Sequence, residues 1–186
     1  MATDITSTTH FTPADLLRMS DGDRFELVDG QLVETDMSLR ADLVKTRILV
    51  LLQSHCALNA IGSAVSETSY QCFPDDPERV RRPDVSVIRR ERLTDSIMTG
   101  HVPIPPDLAV EVVSPNDIFY DVERKVEEYL GAGVRLVWVV NPDTQAVHVY
   151  RANRTGALIH ASEEISGDEV IPGFKCKVKE FFTILA

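Results

Sequence analysis

Cysteine is scarce in this chain, and what there is forms no framework. Cys56, Cys72 and Cys176 are odd in number, widely spaced and without a CxxC pair. That excludes a disulfide scaffold and points to a reducing interior. Long apolar runs are missing as well, none approaching the roughly 20 residues a bilayer crossing needs. The opening MATDITSTTH has neither the basic nor the apolar part of a signal peptide, so a soluble, cytoplasmic protein with no membrane partner is expected. His10, His55, His101, His148 and His160 fall at no ligand spacing with the cysteines, which argues against zinc. GxGxxG, GxxxxGKS or GxxxxGKT, GxSxG and HExxH are all absent, and nucleotide-binding and serine-hydrolase chemistry lose their main supports with them.

Positive charge is also in short supply. The 19 Lys and Arg face 29 Asp and Glu, a net charge of -10, which counts against a protein that coats nucleic acid by neutralising phosphates. The distribution is uneven, however. Arg79, Arg81, Arg82, Arg89, Arg90 and Arg92 crowd one stretch, while acids gather in 121–128 and 163–169. A local basic rim beside an acidic site is compatible with that asymmetry.

What the chain does contain reads as one domain, residues 11–186, behind a loose N-terminus of residues 1–10. Thr12-Pro13-Ala14-Asp15 is a helix start, with a cap, proline at the first position and an acid at the third. Asp29-Gly30 between Arg24–Val28 and Gln31–Glu34 is a hairpin turn. Ser38 opens a long helix to about Leu58 whose apolar side is expected to hold Leu39, Leu43, Ile48, Leu51 and Leu52. Extended segments follow at 63–73, where Val65 and Glu67 share a side, and at 84–88. Then come a loop over 89–106, a strand over 107–113 and an amphipathic helix ending at Gly131-Ala132-Gly133. The nearly continuous apolar run 134–140 belongs at the centre of a sheet. Strands at 146–150 and near 157–160 and a last helix holding Phe181, Phe182 and Leu185 complete the order. A strand–helix–strand crossover among hairpins gives a mixed α/β fold.

The chemistry concentrates in few residues. Alternation in 107–113 places Ala109, Glu111 and Val113 on one side of the strand, so a carboxylate stands among apolar neighbours and needs a partner. On the next helix, with Val122 as reference, Lys125 falls about 60° away on the side of Tyr129, close to the packing face. Its stem can carry the ammonium towards the sheet, although an i,i+4 pair with Asp121 would explain it equally. Asp121, Glu123, Arg124, Glu127 and Glu128 point away. Asp84 opens the preceding strand, and Arg81 or Arg82 is a simple pairing partner for it. Acids at equivalent ends of neighbouring strands hold hard divalent cations. Magnesium there, with manganese as substitute, would neutralise a scissile phosphate beside a lysine that steadies water. Glu67 is a further candidate ligand. Glu26 either orients a ligand or pairs across the hairpin, Ser114 and Asn116 cap the turn and helix, and Tyr120 and Tyr129 are candidates to flank a substrate, Tyr129 fitting the core better.

RFELVDGQLV, RRPDVSVI, LAVEVVSPND, VERKVEEYL and GAGVRLVWVVNPD, five blocks in order, resemble the Uma2 (DUF820) family of the PD-(D/E)XK restriction-endonuclease-like superfamily. The resemblance spans roughly residues 11 to 180. It implies a mixed central sheet flanked by helices, with the N-terminal helix and hairpin as additions. It also implies magnesium-dependent phosphodiester hydrolysis of DNA or another nucleic acid. Asp84 and Glu111 would be metal ligands and, with Lys125, the catalytic residues, and the Val112 carbonyl would be a further ligand. Arg82 joins Glu26, Ser114 and Asn116 as an accessory candidate. The superfamily's usual lysine position is Val113 here, and Lys125 matches a lysine moved to the following helix. Because a net acidic monomer is poorly suited to avid DNA binding, a homodimer is one expected assembly. Two other functions fit the same residues, an inactive binding or assembly protein on a nuclease fold, and a carboxylate hydrolase of another bond such as a glycosidic one.

Overall fold

The computed structural model describes residues 9–34, 38–115 and 117–183. Helix α1 (Pro13–Arg18) starts on Thr12, whose hydroxyl accepts from the Asp15 amide while the Asp15 carboxylate accepts from the Thr12 amide, a reciprocal cap. β1 (Phe25–Val28) and β2 (Gln31–Glu34) form an antiparallel hairpin. Asp29 and Gly30 both have positive φ, 50° and 72°, the backbone a tight hairpin turn demands.

A six-stranded mixed sheet lies behind the hairpin. Helix α2 (Leu39–Leu58) leads into β3 (Gly62–Ser66) and β4 (Val85–Arg89), then β5 (Leu108–Val112), helix α3 (Phe119–Ala132), β6 (Leu136–Asn141), β7 (Ala146–Arg151) and β8 (Gly156–His160). The strands lie side by side in sequence order. β5 and β6 are parallel, joined through α3, and the other neighbours are antiparallel. Helix α3 ends on Gly133, whose φ of 99° suits glycine.

Alternation along the strands splits the core into two layers. Val85, Val87, Leu108, Val110, Val112 and Trp138 face α2. Ala109, Val137 and Val139 face Val126 and Tyr129 of α3. The sheet is therefore covered by a helix on each side.

Three expectations need correction. Leu39 is 74% exposed, whereas Ala41, Val44, Lys45, Ile48, Leu52 and Cys56 are buried. The expected side is thus met at Ile48 and Leu52, with Leu51 packed against the same core, while the buried stripe is rotated away from Leu39 and Leu43 onto Ala41, Val44, Lys45 and Cys56. The strand expected over 63–73 stops at Ser66, where Glu67 takes a φ of 49°. Beyond it, isolated bridges of Tyr70 to Arg81 and to Val102 continue the pairing. The last helix is a single 3-10 turn, Val178–Phe182, preceded by a small ribbon of β9 (Glu164–Ser166) and β10 (Lys175–Lys177). Leu185, and most of the expected loose N-terminus, lie outside the described residues, and among them no helix is long and apolar enough to cross a membrane.

The rotated α2 face is testable in urea unfolding followed by circular dichroism. Ile48→Ala should cost about 2–5 kcal/mol, while Leu39→Ser should stay within about 0.5 kcal/mol of the parent.

Candidate functional site

Asp84 immediately precedes β4, whose Val85 pairs with Val110 of β5. The antiparallel register sets Asp84 opposite Glu111 at one edge of the sheet. Both side chains are buried, and they share the wall of a cavity of about 330 Å³ with Glu26, Glu67, Arg82, Val112 and Lys125. One Asp84 oxygen accepts from the Val112 amide at 2.6 Å, which ties β4 to β5 beyond the last paired residues.

Lys125 reaches this edge from α3. Its Nζ lies 3.3 Å from Glu111 Oε2 and 3.2 Å from Glu26 Oε2. The other Glu111 oxygen accepts from the Tyr129 hydroxyl at 2.7 Å. Tyr129 thus packs in the core against Phe73 and also orients a carboxylate. Lys125 makes no pair with Asp121, which binds Arg124 instead.

Glu26 does not pair across the hairpin, where Val33 stands opposite. It accepts from the Arg82 amide at 2.9 Å and from Arg81 Nη1 at 2.9 Å. Arg81 also binds Glu128 through two nitrogens, at 2.6 and 3.0 Å. Neither arginine pairs with Asp84. Arg82 instead donates to the carbonyls of Phe25, Glu67 and Gly22, clamping hairpin and loop together. Glu128 does not point away from the protein, since Arg79 and Arg81 fold over it. The basic rim that the arginine cluster allowed is largely taken up: Arg79 and Arg81 are buried in ion pairs, Arg89 pairs with Glu91 and Arg92 with Asp107, while Arg90 is exposed.

Glu67 sits on the cavity wall, but its Oε1 is 2.7 Å from the Nζ of Lys45. The positive φ at Glu67 is costly for a residue other than glycine, and it turns the side chain out of the strand towards that lysine. Ser114 contributes its amide to the Asp117 carboxylate rather than a capping hydroxyl, and α3 starts on Ile118 with no side-chain cap. Asn116 lies outside the described residues. Tyr120 is exposed.

Arg81, Glu128 and Lys45 make ion pairs around the cavity that sequence reasoning did not assign. The signals were faint. Lys45 is a charge flanked by the apolar Val44 and Ile48, and Arg81 is one of six clustered arginines that nothing local distinguishes.

Burial, then the charge of Glu111, pushes Asp84 up to about 8. Burial also lifts Glu111, against the pull of Lys125. Glu26 is equally buried, but Lys125 and Arg81 outweigh that cost and hold it below its ordinary value. Burial disfavours the Lys125 ammonium, yet Glu111 and Glu26 hold its pKa above the usual lysine value. Among these acids, Asp84 is the one most short of positive charge. Two carboxylates on one wall, one of them without a cationic partner among the described residues, suit an added cation with oxygen preference. Among the described residues, however, no three Asp, Glu, His or Cys side chains converge as a ligand cluster. A cation would take the rest of its coordination from backbone and water, as magnesium commonly does.

The family model whose description is "Putative restriction endonuclease" matches residues 13–179. The chain belongs to the Uma2 family. Its fold is similar to the solved structure of "a putative nuclease belonging to DUF820" from Anabaena variabilis ATCC 29413, with a TM-score of 0.78 and 19% identity over 94% of this chain and 98% of that one. The mixed sheet with its two flanking helices and N-terminal additions is thus a restriction-endonuclease-like α/β fold. The comparison with curated proteins gives no match. As a Uma2 protein, the chain is nuclease-like in family and fold.

Two measurements check the electrostatics. Arg81→Met strands Glu26 and Glu128 without their guanidinium and should cost about 3–5 kcal/mol in urea unfolding. Asp84 has a folded value above its ordinary 3.8, so the folded chain binds a proton that the unfolded chain releases. That stabilisation is complete below the unfolded value and is lost as pH rises through the folded one. In chelator, the parent should therefore lose stability relative to Asp84→Asn between about pH 4 and about pH 8, and a constant difference would contradict the shift.

Proposed function

We propose that this chain is a magnesium-dependent endonuclease, with manganese as substitute, that hydrolyses phosphodiester bonds in DNA or another nucleic acid. The observation that carries the reading is the convergence of Asp84, Glu111 and Lys125, from two strands and a helix, on one cavity. Asp84, Glu111 and the Val112 carbonyl would hold the ion, with Glu67, whose carboxylate meets Lys45 at 2.7 Å, as an accessory candidate. Magnesium bound there supplies Lewis-acid stabilisation of phosphate charge and a water of lowered pKa.

The remaining work falls to the chain itself. Tyr129 fixes one oxygen of Glu111, and the Val112 amide fixes one of Asp84. Glu26 holds the Lys125 ammonium beside Glu111, where it can donate to the attacking water or to a phosphate oxygen as charge develops. Hydrolysis adds water across a P–O bond, and the departing oxygen takes a proton. Action in the cytoplasm and as a homodimer belongs to the same proposal, the second because a dimer presents two cavities to one strand or duplex.

One observation favours an inactive binding protein instead. Glu111 and Glu26 are already neutralised by Lys125 and Arg81, and among the described residues no third ligating side chain completes a metal cluster. A glycosidase has no use for Lys125 so placed.

Cleavage of single- and double-stranded DNA and RNA with magnesium or manganese decides between them. The parent should cut, Asp84→Ala should not, and Lys125→Met should be slower by about 10²-fold or more. Unchanged cleavage in both variants would sink the site, while no cleavage and no magnesium heat in calorimetry would favour the inactive protein.

A further inference from the structure

Lys45 is a buried cation with no part in the proposed reaction. It comes from α2, on the opposite side of the sheet from the helix that carries Lys125, and its charge is felt at Asp84. Its Nζ stands 2.7 Å from Asp42 Oδ1, three residues earlier on the same helix, and 2.7 Å from Glu67 Oε1. An ammonium taken out of water must keep a carboxylate beside it. Lys45 has two.

The two partners are not equivalent. Asp42 shares the lysine's helix, whereas Glu67 stands on the wall of the cavity that holds Asp84 and Glu111. The Glu67 backbone is fixed there, its amide donating to the Asp84 carbonyl at 3.3 Å and its carbonyl accepting from Arg82 Nη1 at 2.9 Å. Its side chain is 56% exposed, against 11% for Lys45. The carboxylate can therefore swing through water where the ammonium cannot follow. An ion pair with one member in solvent is weakly held, and Asp42 keeps the lysine paired when Glu67 leaves.

Asp84 and Glu111 alone give a cation two side-chain ligands, and among the described residues no group of three converges. Glu26 is locked to Arg81 and Lys125, whereas Glu67 has a partner that can release it. We propose that Lys45 is a positioning residue that gates Glu67. With the pair closed the site offers a divalent cation two carboxylates. With the pair open Glu67 is the third, and the ammonium falls back on Asp42. This rests on the metal-site reading of the cavity and adds the residue that controls how many ligands the cavity presents.

Manganese titrated into the full chain and followed by calorimetry tests the gate with no cleavage readout. Lys45→Met leaves Asp42 and Glu67, both half-exposed, to water. It should tighten manganese binding by about tenfold, and Glu67→Gln in the same background should abolish that gain. The double variant is the control for charge alone, since removing an ammonium raises cation affinity whether or not Glu67 is present. Asp42→Asn is an independent arm that leaves Lys45 in place. It takes away the lysine's other partner, so it should weaken manganese binding in the parent and have no effect in Glu67→Gln. A gain that survives in the double variant, parent-like binding by Lys45→Met, or an Asp42→Asn effect that ignores Glu67 would overturn the gate. If Asp84→Asn abolishes manganese binding while the Lys45 and Asp42 variants bind as the parent does, the metal site stands and the gate falls. If manganese binds neither the parent nor any variant, both fall.

Discussion

The ammonium of Lys125, held between Glu26 and Glu111 at 3.2 and 3.3 Å, constrains everything around it. Charges removed from water are tolerated only when paired and hydrogen-bonded. Glu26 comes from the hairpin, Glu111 from the fifth strand and Lys125 from the crossover helix. None of the three can be buried until all have arrived. Arg81 extends the requirement to the segment ahead of the fourth strand and, through Glu128, to the far side of the helix. The N-terminal hairpin is therefore a wall of the cavity whose own glutamate is part of the charge balance. Assembling the fold and assembling the site are one event.

Such a network is a poor way to gain stability, since well-packed apolar groups of the same volume commonly do as well or better. The opposite face of the sheet shows that alternative, with Val85, Val87, Leu108, Val110 and Trp138 packed under helix α2. Buried ionisable groups gather where β4 and β5 carry Asp84 and Glu111, while Asp107 at the other end of β5 is neutralised by Arg92 and Arg135. The lysine's origin matters less than its position. Val113 packs in the layer beneath α3, and the ammonium that a strand lysine would have delivered comes from a helix crossing above it. Chemistry depends on where the group ends, as sites built in different chain orders on unrelated folds illustrate.

Features governed by neighbours in sequence were legible. The reciprocal cap on Thr12 and Asp15, the Asp29-Gly30 turn, the alternation of strand five and the direction of Lys125 are all set within a few residues. Features decided by distant partners were not. The α2 face was assigned by hydrophobicity, which found Ile48 and Leu52 but included the exposed Leu39 and missed Ala41, Val44, Lys45 and Cys56, because the helix does not encode where the sheet lies. The strand expected to run through Glu67 breaks there because Lys45, 22 residues earlier, offers its carboxylate a partner off the strand axis. Six clustered arginines allowed a basic rim, yet Arg81 is taken up by acids as far away as Glu26 and Glu128 and Arg82 by three carbonyls. Charge counted along a chain does not show which charges remain uncancelled once it folds.

That cancellation bears on how the cavity meets a polyanion. With Arg79, Arg81 and Arg92 held in ion pairs and a net charge of -10, the long-range field of the chain opposes an approaching anion. At physiological ionic strength this field decays over about 8 Å, whereas contacts inside a partly enclosed cavity are screened far less. Under the proposed function, a polyanion would be opposed at a distance and held by contacts inside the cavity. Salt, which weakens most nucleic-acid complexes by competing with basic side chains, here also screens a repulsion. Under the proposed function, that balance would favour short, local engagement at one cavity over binding along a groove.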